Sequence, residues 1–240
     1  MTRSGPIQLF GIPIQVNPSW FAMVAFLAWT LAHGYFPNSY EGLPAPAYWL
    51  LGAAAALLLF TCVLLHELGH SLAAKRYGIP VFRVVLFIFG GVAQIGQRPR
   101  RPAEELVVAL AGPAVSLIIA AACFVASKHV HGQSLVPRVA TALLHYLTII
   151  NIGVLCFNLL PGFPLDGGRV LRALLWAATG SLARATRVAA LLGSVLGLGL
   201  FALGVWVITH GGWVGGLWYV CLGLFLRNAA RSSLRWPTEA

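Results

Sequence analysis

Residues 48–74, YWLLGAAAALLLFTCVLLHELGHSLAA, run without a single lysine or arginine. An α-helix rises about 1.5 Å per residue, so about 20 apolar residues suffice to cross roughly 30 Å of hydrocarbon. Comparable apolar windows recur at 18–33, 104–127, 139–160, 186–209 and 213–227. Six such helices use nearly the whole chain, which predicts one integral-membrane domain over residues 1–240 and an all-α membrane fold. Composition agrees: 59% of residues are apolar and 9% charged, against about 25% charged in soluble domains. The stretch MTRSGPIQLFGIPIQVNP before the first window is too long and apolar for the basic start of a signal peptide and offers no small-x-small cleavage site. The first window is therefore expected to stay as a membrane span.

The net charge of +10 follows from topology. Arg3, the six basic residues from Lys75 to Arg101, the four from Arg169 to Arg187, and Arg227, Arg231 and Arg235 all fall on one side of six alternating spans. Only Lys128 and Arg138 fall on the other, so fourteen of sixteen basic residues predict that both termini are cytoplasmic. The lipid bilayer and its anionic headgroups are the expected partners of this charge, and no nucleic acid is. Cys62, Cys123, Cys156 and Cys221 lie in four different windows with no C-x-x-C pair, which suggests neither a disulfide frame nor a zinc knuckle.

Between the second and third windows, GIPVFRVVLFIFGGVAQIGQRPRR is rich in β-branched and aromatic residues on both sides of Gly90-Gly91. It predicts a short β-hairpin over roughly 81–97 that turns at those glycines. Its unpaired edges cannot face lipid, so a membrane-associated hairpin must lie against protein or a wet cavity.

Only six carboxylates exist. Glu41 and Glu239 fall outside the windows, and Glu104 and Glu105 suit the first turn of the third helix, where the helix dipole favours negative charge. Glu67 and Asp166 remain, and a charged group among apolar residues in a membrane marks function. Glu67 stands between His66 and His70. Residues four apart share a helix face about 6 Å apart, so both imidazoles can bind one metal with Glu67 beside an open, water-occupied position. A third ligand is offered by Asp166, in NLLPGFPLDGG, where two prolines interrupt the fourth helix. His70 precedes Lys75 by five residues and Asp166 precedes Arg169 by three, which puts both at similar cytoplasm-side depth. His33, His129, His131, His145 and His210 fall on or near the external side and are expected to take no part.

HELGH, the FIFGG hairpin, AGP at 111–113 and NLLPGFPLDGG together resemble the site-2 protease family of intramembrane zinc metalloproteases, over about residues 5–230. The six-span layout is similar to the prokaryotic branch, here without CBS or PDZ domains. The resemblance implies one Zn2+ per chain held by His66, His70 and Asp166, with Glu67 as catalytic base. It also implies that Asn158 contacts substrate or the oxyanion, that transmembrane proteins are the substrates, and that the chain resides in a prokaryotic inner membrane. A substrate helix must unwind to expose its carbonyls. The strand Val84, Val85, Leu86, Phe87, Ile88 and Phe89 is expected to pair with it and replace some of the lost backbone bonds. An inactive membrane scaffold or a metal transporter is the alternative. Ligands at a single depth count against transport, and an intact Glu67 against inactivity.

Overall fold

Phe10 and Gly11 both take positive φ, 53° and 70°, and fold the chain back on itself. In this computed structural model, which describes residues 8–97 and 99–234, that turn joins β1 (Gln8–Leu9) to β2 (Ile12–Val16). The predicted roles of Arg3, Arg98, Arg235 and Glu239 lie outside the described residues. Asn17 accepts the Ser19 amide at 3.0 Å and starts α1 (Pro18–Thr30), with Pro18 at the first helical position, where no amide donor is needed. A π-helical turn, Leu31–Tyr35, carries the chain into the short α2 (Phe36–Ser39), and His33 Nδ1 lies 2.9 Å from the Trp29 carbonyl oxygen.

Pro44 precedes and Pro46 opens α3 (Ala45–Arg76), whose 32 residues extend about 48 Å at 1.5 Å each. It stops because Gly78 adopts φ 70°: Gly78 N–H bonds Lys75 O and Ile79 N–H bonds Ala74 O, closing the last turn in the Schellman pattern. Then follow β3 (Val81–Phe87), β4 (Gly90–Ile95), α4 (Pro102–His129), α5 (Leu135–Asn158), α6 (Asp166–Thr179), α7 (Leu182–Thr209) and α8 (Trp213–Ser232).

Each predicted window holds a helix, but four of them, α3, α4, α5 and α7, are long and apolar enough to cross a membrane. α1 has 13 residues, and the last third of α8 carries Arg227 and Arg231, so both fall short by that measure. The fold is thus mostly helical with a small sheet. α6 was not among the expected windows because its first turn is Asp-Gly-Gly and two arginines interrupt its apolar run; its period is that of an amphipathic helix.

The contacts divide the chain into two units. The first takes in Met1–Gln97 and Ala111–Leu155, the second Arg98–Leu110 and Cys156–Ala240.

In the first unit the expected hairpin belongs to a four-stranded sheet of order β1-β2-β3-β4. β2 pairs parallel to β3 (Ile14↔Val84, Gln15↔Val85, Val16↔Leu86), and β3 pairs antiparallel to β4. Two expectations are corrected here. The turn is Ile88-Phe89 rather than Gly90-Gly91, because Phe87 pairs with Gly90 and Leu86 with Gly91. And β3 has both edges filled, so Val84, Val85, Leu86 and Phe87 have no free ladder to offer a substrate, while Ile88 and Phe89 lie in the turn. The outer edge of β4 takes no strand among the described residues. Ile12, Leu68 and Val84 are buried together with Leu64 against them, so the sheet packs on the α3 face that carries Glu67. A second cluster, including Phe36, Leu51, Ala55, Ala142 and Tyr146, joins α3 to α5 and the chain around α2.

In the second unit α7 and α8 pack backbone to backbone. A Cβ at Gly197 would lie 2.7 Å from Gly223 O, and one at Gly204 2.6 Å from Gly216 O, the small-residue contact that replaces hydrophobic driving force between helices in lipid.

Candidate metal centre

His66 and His70 lie one turn apart near the C-terminal end of α3, each 3% exposed. Their rings stand at 77° with Nε2 atoms 3.2 Å apart. Two nitrogens each about 2.05 Å from one ion and 3.2 Å from each other subtend about 100° at that ion, close to a tetrahedral angle. One ligand atom from each of His66, Glu67 and His70 lies within 4.8 Å of the others.

The other ring nitrogen of His66 is fixed. Its Nδ1 lies 2.9 Å from the hydroxyl of Ser116, which is wholly buried on α4. Donation from Nδ1–H to that oxygen leaves the Nε2 lone pair aimed at the partner ring, the usual second contact of a metal-binding histidine.

Beneath the rings α4 passes with no side chain in the way. A Cβ on Gly112 would sit 2.2 Å from His70 Nε2 and 2.7 Å from His66 Nε2, close to where an ion shared by both would be. The contact is reciprocal, since a Cβ on Gly69 would meet Ala111 O at 2.8 Å. The cradle a side chain would fill, and a pair of imidazoles that face each other, fit zinc: both donors are neutral nitrogen ligands with a carboxylate beside them.

Glu67 lies half-buried between the rings and the sheet. Its Oε2 accepts the Ala93 amide of β4 at 3.0 Å, and a Cβ on Gly91 would sit 2.7 Å from its Cγ. The Ala93 amide therefore points away from β3 to the open edge of β4, where strand alternation also puts Gly91. Val63 on α3 makes the other close contact of Gly91. The base candidate and an unfilled strand edge are neighbours.

Asp166 and Asn158 belong to the second unit. Asn158 is the last residue of α5 and half-buried; Asp166 is 8% exposed and is the first residue of α6. The Gly-Gly that follows it has a steric reason. A Cβ on Gly167 would lie 2.2 Å from Leu159 O, and one on Gly168 2.4 Å from Gly162 C, so the first turn of α6 rests on the backbone of residues 159–163. Those residues are held from beyond by α7: Phe163 N–H bonds Ala189 O at 3.0 Å, and Gly193 meets Phe163 O too closely for any side chain.

Glu105 corrects another expectation. Read as a surface group in a first helical turn, it is 1% exposed and ion-paired with Arg172, whose Nε and Nη2 both donate to its Oε1. Its partner stands 67 positions away, so the first-turn pattern alone explains only Glu104, which accepts the Arg100 amide at 2.9 Å. Two of the histidines expected to take no part are engaged elsewhere: His145 Nδ1 lies 2.8 Å from the Tyr40 hydroxyl, and His210 Nδ1 lies 2.8 Å from Trp206 O. Ser116 carries no chemical signature in the bare sequence, and Gly112 stands out there only as the middle of AGP. The trace that exists is their spacing of four, which puts both on one face of α4.

The sequence matches the profile of Peptidase family M50 over residues 54–138 and 128–201, a range that contains both histidines, Glu67, Gly112, Ser116, Asn158 and Asp166. The chain belongs to that family, the site-2 proteases. It is 40% identical over 231 residues to a candidate zinc metalloprotease of Synechocystis, covering 95% of this chain and 58% of that protein. It is 34% identical over 202 residues to a zinc metalloprotease of Methanocaldococcus jannaschii, covering 82% of this chain and 52% of that one. This chain thus spans just over half the length of the curated relatives it matches. The solved structure of a site-2 protease from Methanocaldococcus jannaschii superposes with a TM-score of 0.60 at 27% identity, over 98% of this chain and 95% of that one. Membership in this family and four membrane-length apolar helices make this M50 protein an integral membrane protein with the features of a zinc metalloprotease.

Proposed function

We propose that the protein is an intramembrane zinc endopeptidase that cuts transmembrane proteins near the cytoplasmic face, as in regulated intramembrane proteolysis. The observation that carries this reading is the pair of Nε2 atoms 3.2 Å apart over the bare backbone of Gly112, with Glu67 alongside, inside a helix apolar enough to span a bilayer. His66, His70 and Asp166 would hold one zinc per chain; the Asp-Gly-Gly turn and the family to which the chain belongs support the third ligand. When bound, zinc lowers the pKa of a coordinated water towards about 7 and polarises the scissile carbonyl.

The protein's own groups supply the rest. Glu67 takes the proton of the attacking water and delivers it to the leaving amine. Asn158 donates a hydrogen bond to substrate or to the developing oxyanion without adding charge. The unwound substrate lies as a fifth strand on the open edge of β4 rather than on β3, whose two edges are filled. Such a strand would run past Glu67, because the Ala93 amide on that edge already reaches its carboxylate. Six spans with both termini cytoplasmic are part of the same reading: α1 with its π turn and α2 gives one crossing, α8 another, and the bias of fourteen basic residues to one side sets the orientation. A prokaryotic inner membrane is the expected setting.

The test is zinc content of the detergent-purified protein beside Asp166→Ala, followed by cleavage of a transmembrane peptide containing helix-breaking residues. About one zinc per chain, sharply weakened in the variant, and cleavage abolished by Glu67→Gln are expected. Equal zinc in both proteins would refute the ligand set, and cleavage by Glu67→Gln would refute the mechanism.

A further inference from the structure

Arg172 and Glu105 form an ion pair that this reading does not use. Both are buried, 9% and 1% exposed, and the guanidinium gives two donors to one carboxylate oxygen. The Arg172 guanidinium carbon also lies 4.8 Å from the centre of the Phe163 ring, a cation–π contact. Phe163 is three residues before Asp166 and Arg172 is six after it, so one arginine touches the approach to the α6 start and grows from α6 itself.

A buried pair of this kind is a poor device for stability, since desolvating two ions consumes most of what their attraction returns, and apolar residues of similar volume often serve as well. What it supplies is direction. Two donors on one oxygen fix the guanidinium plane, and the ring beneath fixes its height. Through them the rotation of α6 is tied to the first turn of α4. Rotation is the sensitive coordinate for Asp166: a side-chain oxygen about 6 Å from the helix axis moves about 1 Å when the helix turns by 10°. A metal ligand tolerates about 0.2 Å. The glycine contacts of Gly167 and Gly168 set how closely α6 approaches residues 159–163, and α6 also packs on α7 with Leu171 against Phe163, Ala189 and Ala190, but such apolar contacts are not directional and leave the fine rotation of the helix to the ion pair.

We propose that Glu105, Arg172 and Phe163 are positioning residues that set the rotation of α6 and so present the Asp166 carboxylate for zinc. The inference rests on the reading of Asp166 as a ligand.

The experiment is a zinc titration of the full chain in detergent against a chromophoric chelator, over a range wide enough to follow a site with two histidines. Glu105→Gln, Arg172→Lys and Phe163→Leu are compared in the wild-type and the Asp166→Ala backgrounds. In the wild-type background Glu105→Gln and Arg172→Lys should each weaken zinc binding by about 10- to 100-fold, the usual effect of losing an outer partner of a metal ligand. The double variant should be no weaker than the worse single one. In the Asp166→Ala background the same changes should shift affinity by less than threefold, because the ligand they act through is gone. A purely structural pair would instead lower the melting temperature of the metal-free protein and leave zinc affinity alone.

Affinity within threefold of wild type in folded Glu105→Gln and Arg172→Lys overturns the proposal. So does an equal loss in both backgrounds. Wild-type affinity in Asp166→Ala itself is a separate result, which refutes the ligand reading and removes the basis of this inference with it. Should the two charge variants not fold, Phe163→Leu decides, since it removes the ring and leaves no charge unpaired: at least fivefold weaker binding supports the proposal and unchanged binding overturns it.

Discussion

Gly112→Ala replaces one hydrogen of α4 by a methyl group, and the geometry says where the carbon goes. It would stand 2.2 Å from His70 Nε2 and 2.7 Å from His66 Nε2. A relaxed contact with a carbon needs about 3.5 Å, so the His70 ring must withdraw by about 1.3 Å and the His66 ring by about 0.8 Å. Both exceed the roughly 0.2 Å that a metal–ligand distance tolerates. A structural zinc site binds with about 10–16 kcal/mol over four ligands, or about 2.5–4 kcal/mol for each, so one lost ligand costs about two to three orders of magnitude in affinity. The expectation for Gly112→Ala is at least a hundredfold weaker zinc in a chelator competition. Alanine is the better helix former by about 1 kcal/mol, so helix content should not fall with it. Gly153→Ala is the matched control: its Cβ would meet nothing within 4 Å on α5, and zinc affinity should stay as in wild type. Zinc bound by Gly112→Ala within threefold of wild type would refute the convergence of the two rings on a point above α4.

Ser116→Ala removes the oxygen 2.9 Å from His66 Nδ1 and should weaken zinc by about 10–100-fold in the same titration; no change would mean that this hydroxyl does not set the ring. Glu67→Gln should keep zinc within tenfold while peptide cleavage falls by at least about 10²–10⁴-fold, and a loss of metal instead would make Glu67 a ligand rather than a base. Removal of zinc with a strong chelator should abolish cleavage and re-addition of one equivalent should restore it; activity that survives complete metal removal would exclude a metallopeptidase. Ala93→Pro deletes the open-edge amide, and Ala93→Ser keeps it. Cleavage should fall at least tenfold in the first and remain in the second, whereas equal cleavage would rule out strand addition on β4.

The two imidazoles and the carboxylate between them were legible because a helix converts a spacing of four into one face, a rule that needs no tertiary information. The apolar runs located the helices for a similar reason, since the solvent imposes the pattern. What escaped depends on distant partners. β2 reads only as an unassigned stretch before the first window until Ile14 is matched with Val84, 70 positions later. Glu105 reads as a helix-start carboxylate until Arg172 is brought to it. The hairpin turn moved from Gly90-Gly91 to Ile88-Phe89 because the pairing of Phe87 with Gly90 outweighed the preference of glycine for turns. Gly112 is one of 26 glycines; AGP marks it as part of a resemblance, and only the approach of α4 to α3 gives it a role.

The parallel pairing of β2 with β3 sets a timetable for synthesis. With chain growth at about 5–20 residues per second, the 70 positions between Ile14 and Val84 take about 4–14 seconds to make. During that interval β2 has only the short β1 to pair with, while α1 and the whole of α3 are translated. The partner strand is the last of the three to appear, and it appears just after the two histidines. The sheet therefore closes against Glu67 only after the His-Glu-x-x-His turn of α3 exists, so a ribosome-bound chain that has not yet reached Gly90 can carry that turn yet lack the strand edge beside it.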